Sequence, residues 1–311
     1  MLCYDKIKDN PTVLLSFTSL SKEEFEAVLV AFDEAWHQVN PIESPERQRA
    51  SGGGRKPTLS CRADQLLFIL FYLKTYPLQE VLGFFFGMSQ TQANHWIYRL
   101  ADILQRALGA LNYLPERETE RLAEVLGEYE VLEFAQDGTE RRRQRPTDDE
   151  KQRRYYSGKK KAHTLKNHLI VHPESRQVCY LSDTVPGKTH DKKLADESNL
   201  TFPAQSLLEQ DTGYQGYAPD NVLLLQPKKK PRKQELTVSE KFVNRVISSG
   251  RIVVENVIAG VKRCRIVKDI LRNRHEGFDD LIMDIACGLH NLRVAFRSPT
   301  QTISLVDFYF Q

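Results

Sequence analysis

The 311-residue chain has no apolar run approaching the roughly 20 residues that a membrane-spanning helix needs. Its opening residues, Met1-Leu2-Cys3-Tyr4-Asp5-Lys6, lack the apolar segment of a secretion signal, so no signal peptide is expected. Cysteine is sparse: Cys3, Cys61, Cys179, Cys264 and Cys287 are odd in number and never paired as C-x-x-C. That pattern argues against a disulfide framework or a zinc site and leaves reduced thiols in an intracellular protein. No repeat of solenoid period is present. Nor is there a charge excess: 44 Lys and Arg face 41 Asp and Glu, a net +3. Any argument about partners must therefore come from where the charges fall.

What is present is globular in kind. Hydrophobic residues make up 41% and charged residues 27%, and the length admits two domains, each with its own core. Ser21-Lys22-Glu23-Glu24 is a capping box, in which Ser21 accepts from a backbone N–H and Glu24 bonds back. The helix it opens carries Phe25, Val28, Leu29, Phe32 and Trp36 on one face, for core or for a subunit contact. Ser51 to Pro57 reads as a linker, and its Arg55 and Lys56 suit either phosphate contact or plain solvation.

A trihelical pattern follows. Ala63 to Lys74 is apolar, Pro77 interrupts, Leu78 to Phe86 forms a second helix, and Gly87-Met88-Ser89 turns the chain. Ser89-Gln90-Thr91-Gln92 opens a third helix with another capping box. Helix, short glycine-containing turn, helix is the signature of a helix-turn-helix, against the plainer reading of a helical hairpin. In the third helix Ala93, Ile97 and Leu100 are expected inside. Gln90, Thr91, Asn94, His95, Tyr98 and Arg99 are expected outside, where amide and guanidinium groups can read base edges.

From residue 131 the pattern turns to strands. Val131 to Ala135 is the first, delivering Asp137 to an expected Gly138-Thr139 turn. Lys166 to His172 and Gln177 to Thr184 continue an antiparallel meander. Asp191 to Asn199 reads as a helix, Ser206 to Gln210 leads into Asp211, and Val222 to Leu225 is another strand. Strands followed by a long helix indicate mixed α/β packing.

Basic residues crowd these carboxylates. Arg141, Arg142, Arg143, Arg145, Lys151, Arg153, Arg154, Lys159, Lys160, Lys161 and Lys166 lie between the first two strands, and Lys228 to Lys233 form a second cluster. Such dressing suits a phosphodiester substrate, although the second cluster also fits a solvated run. The long helix after the Thr237-Val238-Ser239-Glu240 capping box places Arg251, Glu255 and Lys262 on one face. Glu255 there is either a rung of a surface salt-bridge ladder or a ligand; the ligand role is preferred.

Smaller features have two readings each. His190-Asp191 follows a strand and opens a helix, and Asp191 is either its cap or an auxiliary of the site. His168 and His172 share a strand face without a third metal-ligand partner. Tyr214 and Tyr217 either pack beside Asp211 or stack on a flipped base, and packing is favoured.

Asp137-Gly138-Thr139, Asp211-Thr212-Gly213-Tyr214 and Arg251-x3-Glu255-x6-Lys262 together resemble the catalytic signatures of DDE transposases. The nearest likeness is to the bacterial insertion-sequence-five (IS-five) group, akin to Harbinger-type nucleases. The helix-turn-helix and the closing stretch from Ile285 to Arg293 are similar to that family as well, and the likeness covers roughly residues 58 to 297. Each motif alone is weak; their order makes the set specific. Related transposases often place a Tyr three residues before the Arg of the last motif, where this chain has Ser248. The interval from Asp211 to Glu255 leaves no room for the large insertion domain of some relatives.

The resemblance implies an α/β RNase H-like catalytic core with an N-terminal all-α helix-turn-helix region. It implies two Mg²⁺ ions, with Mn²⁺ as substitute, held by Asp137, Asp211 and Glu255, with His190 and Asp191 as auxiliaries. Arg141, Arg142, Arg143, Arg251 and Lys262 are expected to hold DNA phosphates. The expected segments are a helical region at 1–50, a linker at 51–57, a helix-turn-helix domain at 58–125, a catalytic domain at 126–297 and a tail at 298–311. Double-stranded DNA, as element ends and target, is the expected partner, and pairing two ends calls for a dimer or larger assembly. A cytoplasmic, nucleoid-associated setting without a membrane follows. The rivals are an endonuclease that does not rejoin strands and a helix-turn-helix regulator with a retired site; the intact Asp137, Asp211 and Glu255 argue against the second.

Overall fold

The computed structural model describes residues 1–40, 57–230 and 235–297, apart from the side chains at 246 and 248–250. Arg55 and Lys56 of the linker, residues 231–233 of the second basic cluster, the Ser248 side chain and the 298–311 tail lie outside the described residues. In chain order the helices α1 (Pro11–Thr18), α2 (Lys22–Val39), α3 (Arg62–Thr75), α4 (Gln79–Phe86), α5 (Gln90–Ala110) and α6 (Thr119–Gly127) come first. Strand β1 (Glu133–Arg142), helix α7 (Asp149–Tyr155) and strands β2 (Tyr156–Ser157), β3 (Ala162–His172), β4 (Gln177–Leu181) and β5 (Val185–Pro186) follow. Then come α8 (Asp191–Ser198), β6 (Ser206–Gln210), β7 (Val222–Leu225), α9 (Val238–Val261), α10 (Arg265–Lys268) and α11 (Phe278–Phe296).

The chain forms two compact units. One is helical: Met1–Leu114 with Lys262–Asp269 and His275–Arg293. Local sequence starts its helices. Ser21 Oγ accepts from Glu24 N–H at 3.2 Å while Glu24 Oε2 accepts from Ser21 N–H at 2.7 Å, and Ser89 with Gln92 repeats the arrangement. Helix α3 is its centre, with every residue from Leu66 to Leu73 buried, as a helix apolar on all sides must be. Phe25, Val28 and Phe32 of α2 are fully buried in the same unit, which settles that face as core. Helix α11, expected among the strands, belongs here because its apolar surface needs helices: Gly288 lies against Leu108 and Leu114.

The second unit holds Pro115–Val261 and Ile270–Arg274. Its seven-stranded sheet runs β2-β3-β1-β6-β7, with β4 and β5 also paired to β3. Strands β1, β3 and β4 are antiparallel, as the meander reading required, while β6 lies parallel to β1 and β7 parallel to β6. One face of the sheet buries Phe134, Ile170 and Leu208 with Leu122, Leu126, Ala195, Tyr180 and Tyr214; α9 packs on β1 and β6.

Strand β1 corrects the expected Gly138-Thr139 turn. Antiparallel pairing with β3 runs unbroken from Ala135↔Val171 to Arg142↔Thr164 and carries the strand through both residues. Asp137 therefore stands in mid-strand. The turn at Gly87 is as expected and its φ of +69° suits glycine.

The approach of α4 to that turn gives a test. A Cβ on Gly83 would stand 2.5 Å from the Met88 carbonyl oxygen, a backbone atom. Gly83→Ala is expected to lower stability by about 1–3 kcal/mol in urea unfolding, as overpacking does. A gain of about 1 kcal/mol, the ordinary benefit of alanine over glycine in a helix, would show that the close approach is not a constraint.

Candidate active site

Side chains alternate across a strand, so Glu133, Ala135 and Asp137 share one face of β1. Parallel pairing sets Gln136 beside Gln210, which puts Asp137 and Asp211 next to each other on that face. Asp211 itself caps the 3-10 turn Thr212–Tyr214. Its Oδ1 accepts from the Thr212 N–H and, at 3.0 Å, from the Thr212 hydroxyl. Its Oδ2 accepts from Arg251 Nη2 of α9 at 3.1 Å. Asp137 Oδ1 accepts from the Gly138 N–H at 2.7 Å. Its Oδ2 has no hydrogen-bond partner among the described residues.

Burial pushes the Asp137 carboxyl up to about 6 from its ordinary 3.8, and the charges of Asp191 and Asp211 add to the rise. The Gly138 N–H and Arg251 pull the other way. Behind this pair on the same face lie Glu133 and Glu209, both buried. Burial, then the charge of Glu133, pushes Glu209 up to about 8. The sequence reading missed this second pair; the period-two alternation that puts Glu133 four residues before Asp137 and Glu209 two before Asp211 on the same face points toward it.

Glu255 is exposed on α9, one turn after Arg251. Arg251 turns to Asp211, so the salt-bridge ladder expected as the alternative for Glu255 does not form. Among the described residues no three His, Cys, Asp or Glu side chains are arranged to hold a metal ion. The structure thus brings Asp137 and Asp211 together and leaves Glu255 on the open side of the helix. The two aspartates offer hard oxygens, one on a strand and one on a capped 3-10 turn, with an unbonded Asp137 Oδ2, and fit a Mg²⁺-type cation that uses one or two carboxylates plus substrate oxygens. Lys262 follows α9 directly and is half-buried.

Other expected residues have different work. Arg141 is buried, and its guanidinium bonds Asn167 Oδ1 at 2.8 Å and Thr184 Oγ1 at 3.1 Å, so it braces β1 on β3 and does not meet DNA. Arg142 is exposed, and Arg143 stacks over Tyr155 at 4.1 Å. Asp191 does not cap α8: His190, exposed, is the N-cap residue and gives no side-chain bond, while Asp191 pairs with Lys166 at 3.0 Å. Lys166, counted among the basic DNA-facing residues, is buried. His168 is fully buried against Gln136, and His172 bonds Ser175 and the Val131 carbonyl; both are core residues. Tyr214 and Tyr217 are buried and pack.

On α5, Ala93, Ile97 and Leu100 are buried as expected, and Gln90, Thr91 and His95 are exposed with Asn94 half-buried. Tyr98 departs from the expected outward surface, while Arg99 is exposed as expected but engaged with α2. Tyr98 packs on His275 and Phe278, with ring centroids 4.9 and 5.1 Å away. Arg99 lies 4.4 Å over Trp36 and donates to Asn40 Oδ1. Aromatic surface on α2 and α11 claims both.

A carboxylate pair on neighbouring segments, with a guanidinium against it, suits a divalent cation that meets a phosphate. Residues 136–291 match the DDE superfamily endonucleases, and residues 57–110 match the helix-turn-helix of DDE superfamily endonucleases. The chain belongs to that superfamily. It is also 29% identical over 262 residues to a probable transposase for insertion sequence element IS702 of Microchaete diplosiphon, covering 84% of this chain and 91% of that one. No solved structure matches it. No helix among the described residues is long and apolar enough to cross a membrane.

Two expectations follow. Asp137 is harder to ionise in the folded protein, so its charge costs stability above pH 6 and nothing below its ordinary value near 4. Without added metal, Asp137→Asn should stabilise the fold at pH 7.5 by up to about 3 kcal/mol, and the gain should fade toward pH 4. Thermal unfolding across that range checks it; a pH-independent difference would contradict it. On α5, Gln90→Ala or Asn94→Ala should each cost about 1–3 kcal/mol of discrimination between specific and scrambled DNA. Arg99→Ala should lower the melting temperature without changing that discrimination, as read by paired binding and unfolding titrations.

Proposed function

We propose that this protein is a DNA transposase of the IS-five type. It binds the ends of its own insertion sequence and carries out divalent-metal-dependent strand cleavage and strand transfer. The observation that carries this reading is the placement of Asp137 and Asp211 side by side on one face of β1 and β6, with Arg251 against them. The similarity to a probable insertion-sequence transposase over most of both chains supports it.

In this reading the core is RNase H-like, and Asp137 and Asp211 hold two Mg²⁺ ions with Glu255 completing the set. When bound, the metal supplies an activated attacking oxygen and a counter-charge for the leaving oxygen. Mn²⁺ substitutes. Water breaks the phosphodiester at the element's end and frees a 3′-hydroxyl. That hydroxyl attacks a target phosphodiester, so one bond forms as another breaks and no covalent enzyme intermediate arises. Arg251 and Lys262, with exposed Arg142 and half-buried Arg143, meet the phosphates. His190 and Asp191 are auxiliaries at the rim. Gln90, Thr91 and Asn94 read bases in the terminal repeats, and two copies or more pair the two ends.

The family description favours a second reading, an endonuclease that cuts without rejoining. Incubation with Mg²⁺ or Mn²⁺ and DNA carrying the element's ends separates the two. Wild type should nick and produce a strand-transfer product; Asp211→Asn should fall to background cleavage while its DNA affinity stays within a few-fold. Cleavage without joined product would leave the endonuclease. Metal-dependent cleavage by Asp211→Asn would sink the carboxylate site.

A further inference from the structure

Two glycines accompany the two aspartates: Gly138 directly after Asp137, and Gly213 two residues after Asp211. Neither has a positive φ, so backbone conformation does not call for glycine at either. Space does. A Cβ on Gly138 would stand 2.5 Å from Asp191 Oδ1, and one on Gly213 would stand 3.3 Å from Asp191 Oδ2. The two oxygens of one carboxylate therefore occupy the space that a side chain on either aspartate-bearing segment would need. Asp191 comes from neither of those strands; it opens α8.

The segment that delivers it is fixed to β3. The Gly187 N–H donates to the Thr164 carbonyl at 3.0 Å, and Gly187 itself leaves no room for a Cβ beside the Thr164 hydroxyl. Lys166 Nζ, buried on β3, donates to the Thr189 carbonyl at 2.6 Å and to Asp191 Oδ1 at 3.0 Å. These two bonds from one buried ammonium hold the Asp191 side chain in one place, and an amide oxygen could accept the same bond.

We propose that Asp191, anchored by Lys166, is a positioning residue that sets the separation of Asp137 and Asp211 by wedging its carboxylate between Gly138 and Gly213. This rests on the reading of Asp137 and Asp211 as the metal-holding pair. Acting through shape, it predicts that an isosteric amide will serve nearly as well as the carboxylate and that a methyl group will not.

The test is Mn²⁺ binding to the full-length protein without DNA, followed by the electron paramagnetic resonance signal of the free ion, with thermal unfolding of each variant alongside. Wild type is expected to bind and Asp211→Asn to lose binding. Asp191→Ala should remain folded and bind about 10- to 100-fold more weakly, the usual cost of removing a residue that orients a ligand. Asp191→Asn should stay near wild type. Gly213→Ala, which crowds the same carboxylate more gently, should weaken Mn²⁺ in the same direction and carries the comparison if Asp191→Ala does not fold.

Undiminished Mn²⁺ affinity in Asp191→Ala or Gly213→Ala overturns the wedge while leaving the metal-holding pair intact. Asp191→Asn as weak as Asp191→Ala overturns positioning by shape and makes the charge itself the contribution. Absence of Mn²⁺ binding by wild type overturns the reading of the pair, and the wedge with it.

Discussion

Two negative charges on neighbouring strands repel each other, and the strand-rich unit is arranged around that repulsion. Adjacent strands lie about 4.8 Å apart. At such a distance, and at the effective dielectric of a protein surface, two carboxylates oppose each other by about 3 kcal/mol. The parallel pairing that ends at Gln136 and Gln210 brings the next residues, Asp137 and Asp211, side by side. The charge of Asp191 adds to the repulsion. Arg251 on α9 answers it directly, and the Gly138 and Thr212 N–H groups answer it locally. A group of anions assembled at such cost favours whatever cation enters.

The same constraint explains where rigidity is placed. The aspartates project from the middle of a paired strand and from a capped 3-10 turn, not from long loops. Beneath them the opposite sheet face is a packed apolar core that includes Phe134, Ile170, Leu208 and Tyr214. Arg141, Asn167 and Thr184 form a polar brace between β1 and the end of the meander. Mg²⁺-type chemistry needs ligands held within fractions of an ångström, and strands supply that better than loops. Glu255, by contrast, is on a helix and exposed, so no strand pairing fixes its side chain against the two aspartates.

Local signals were legible in the sequence. The capping boxes at Ser21, Ser89 and Thr237 all form, because each is a contract among four consecutive residues. The positions of β3, β4 and β7 were legible from short apolar runs, and the aspartates from the motifs they begin; the parallel placement of β6 and β7 beside β1 was not. What failed was non-local. The Gly138-Thr139 pair looks like a turn until β3 pairs with it. Arg141 looks like a DNA contact until Asn167 and Thr184 bury it. Tyr98 sits at an outward helical position, yet Phe278 of α11 packs on it, and exposed Arg99 is drawn onto Trp36 of α2. Asp191 looks like a helix cap because nothing in its neighbourhood announces Lys166, twenty-five residues earlier.

These reassignments change the account of DNA attraction. The arginines nearest Asp137 in sequence alternate between inside and outside because they are on a strand: Arg141 in, Arg142 out. Lys166 is spent on Asp191, and Arg251 is spent on Asp211 until another cation relieves it. Exposed positive charge on this stretch is carried by Arg142, Arg145, Lys151, Arg153, Arg154, Lys159, Lys160 and Lys161, outside the pairs made by Lys166 and Arg251. With the chain as a whole near neutrality, such attraction acts over about 8 Å at physiological salt and not over the whole molecule. A phosphate must already be close for these groups to draw it in.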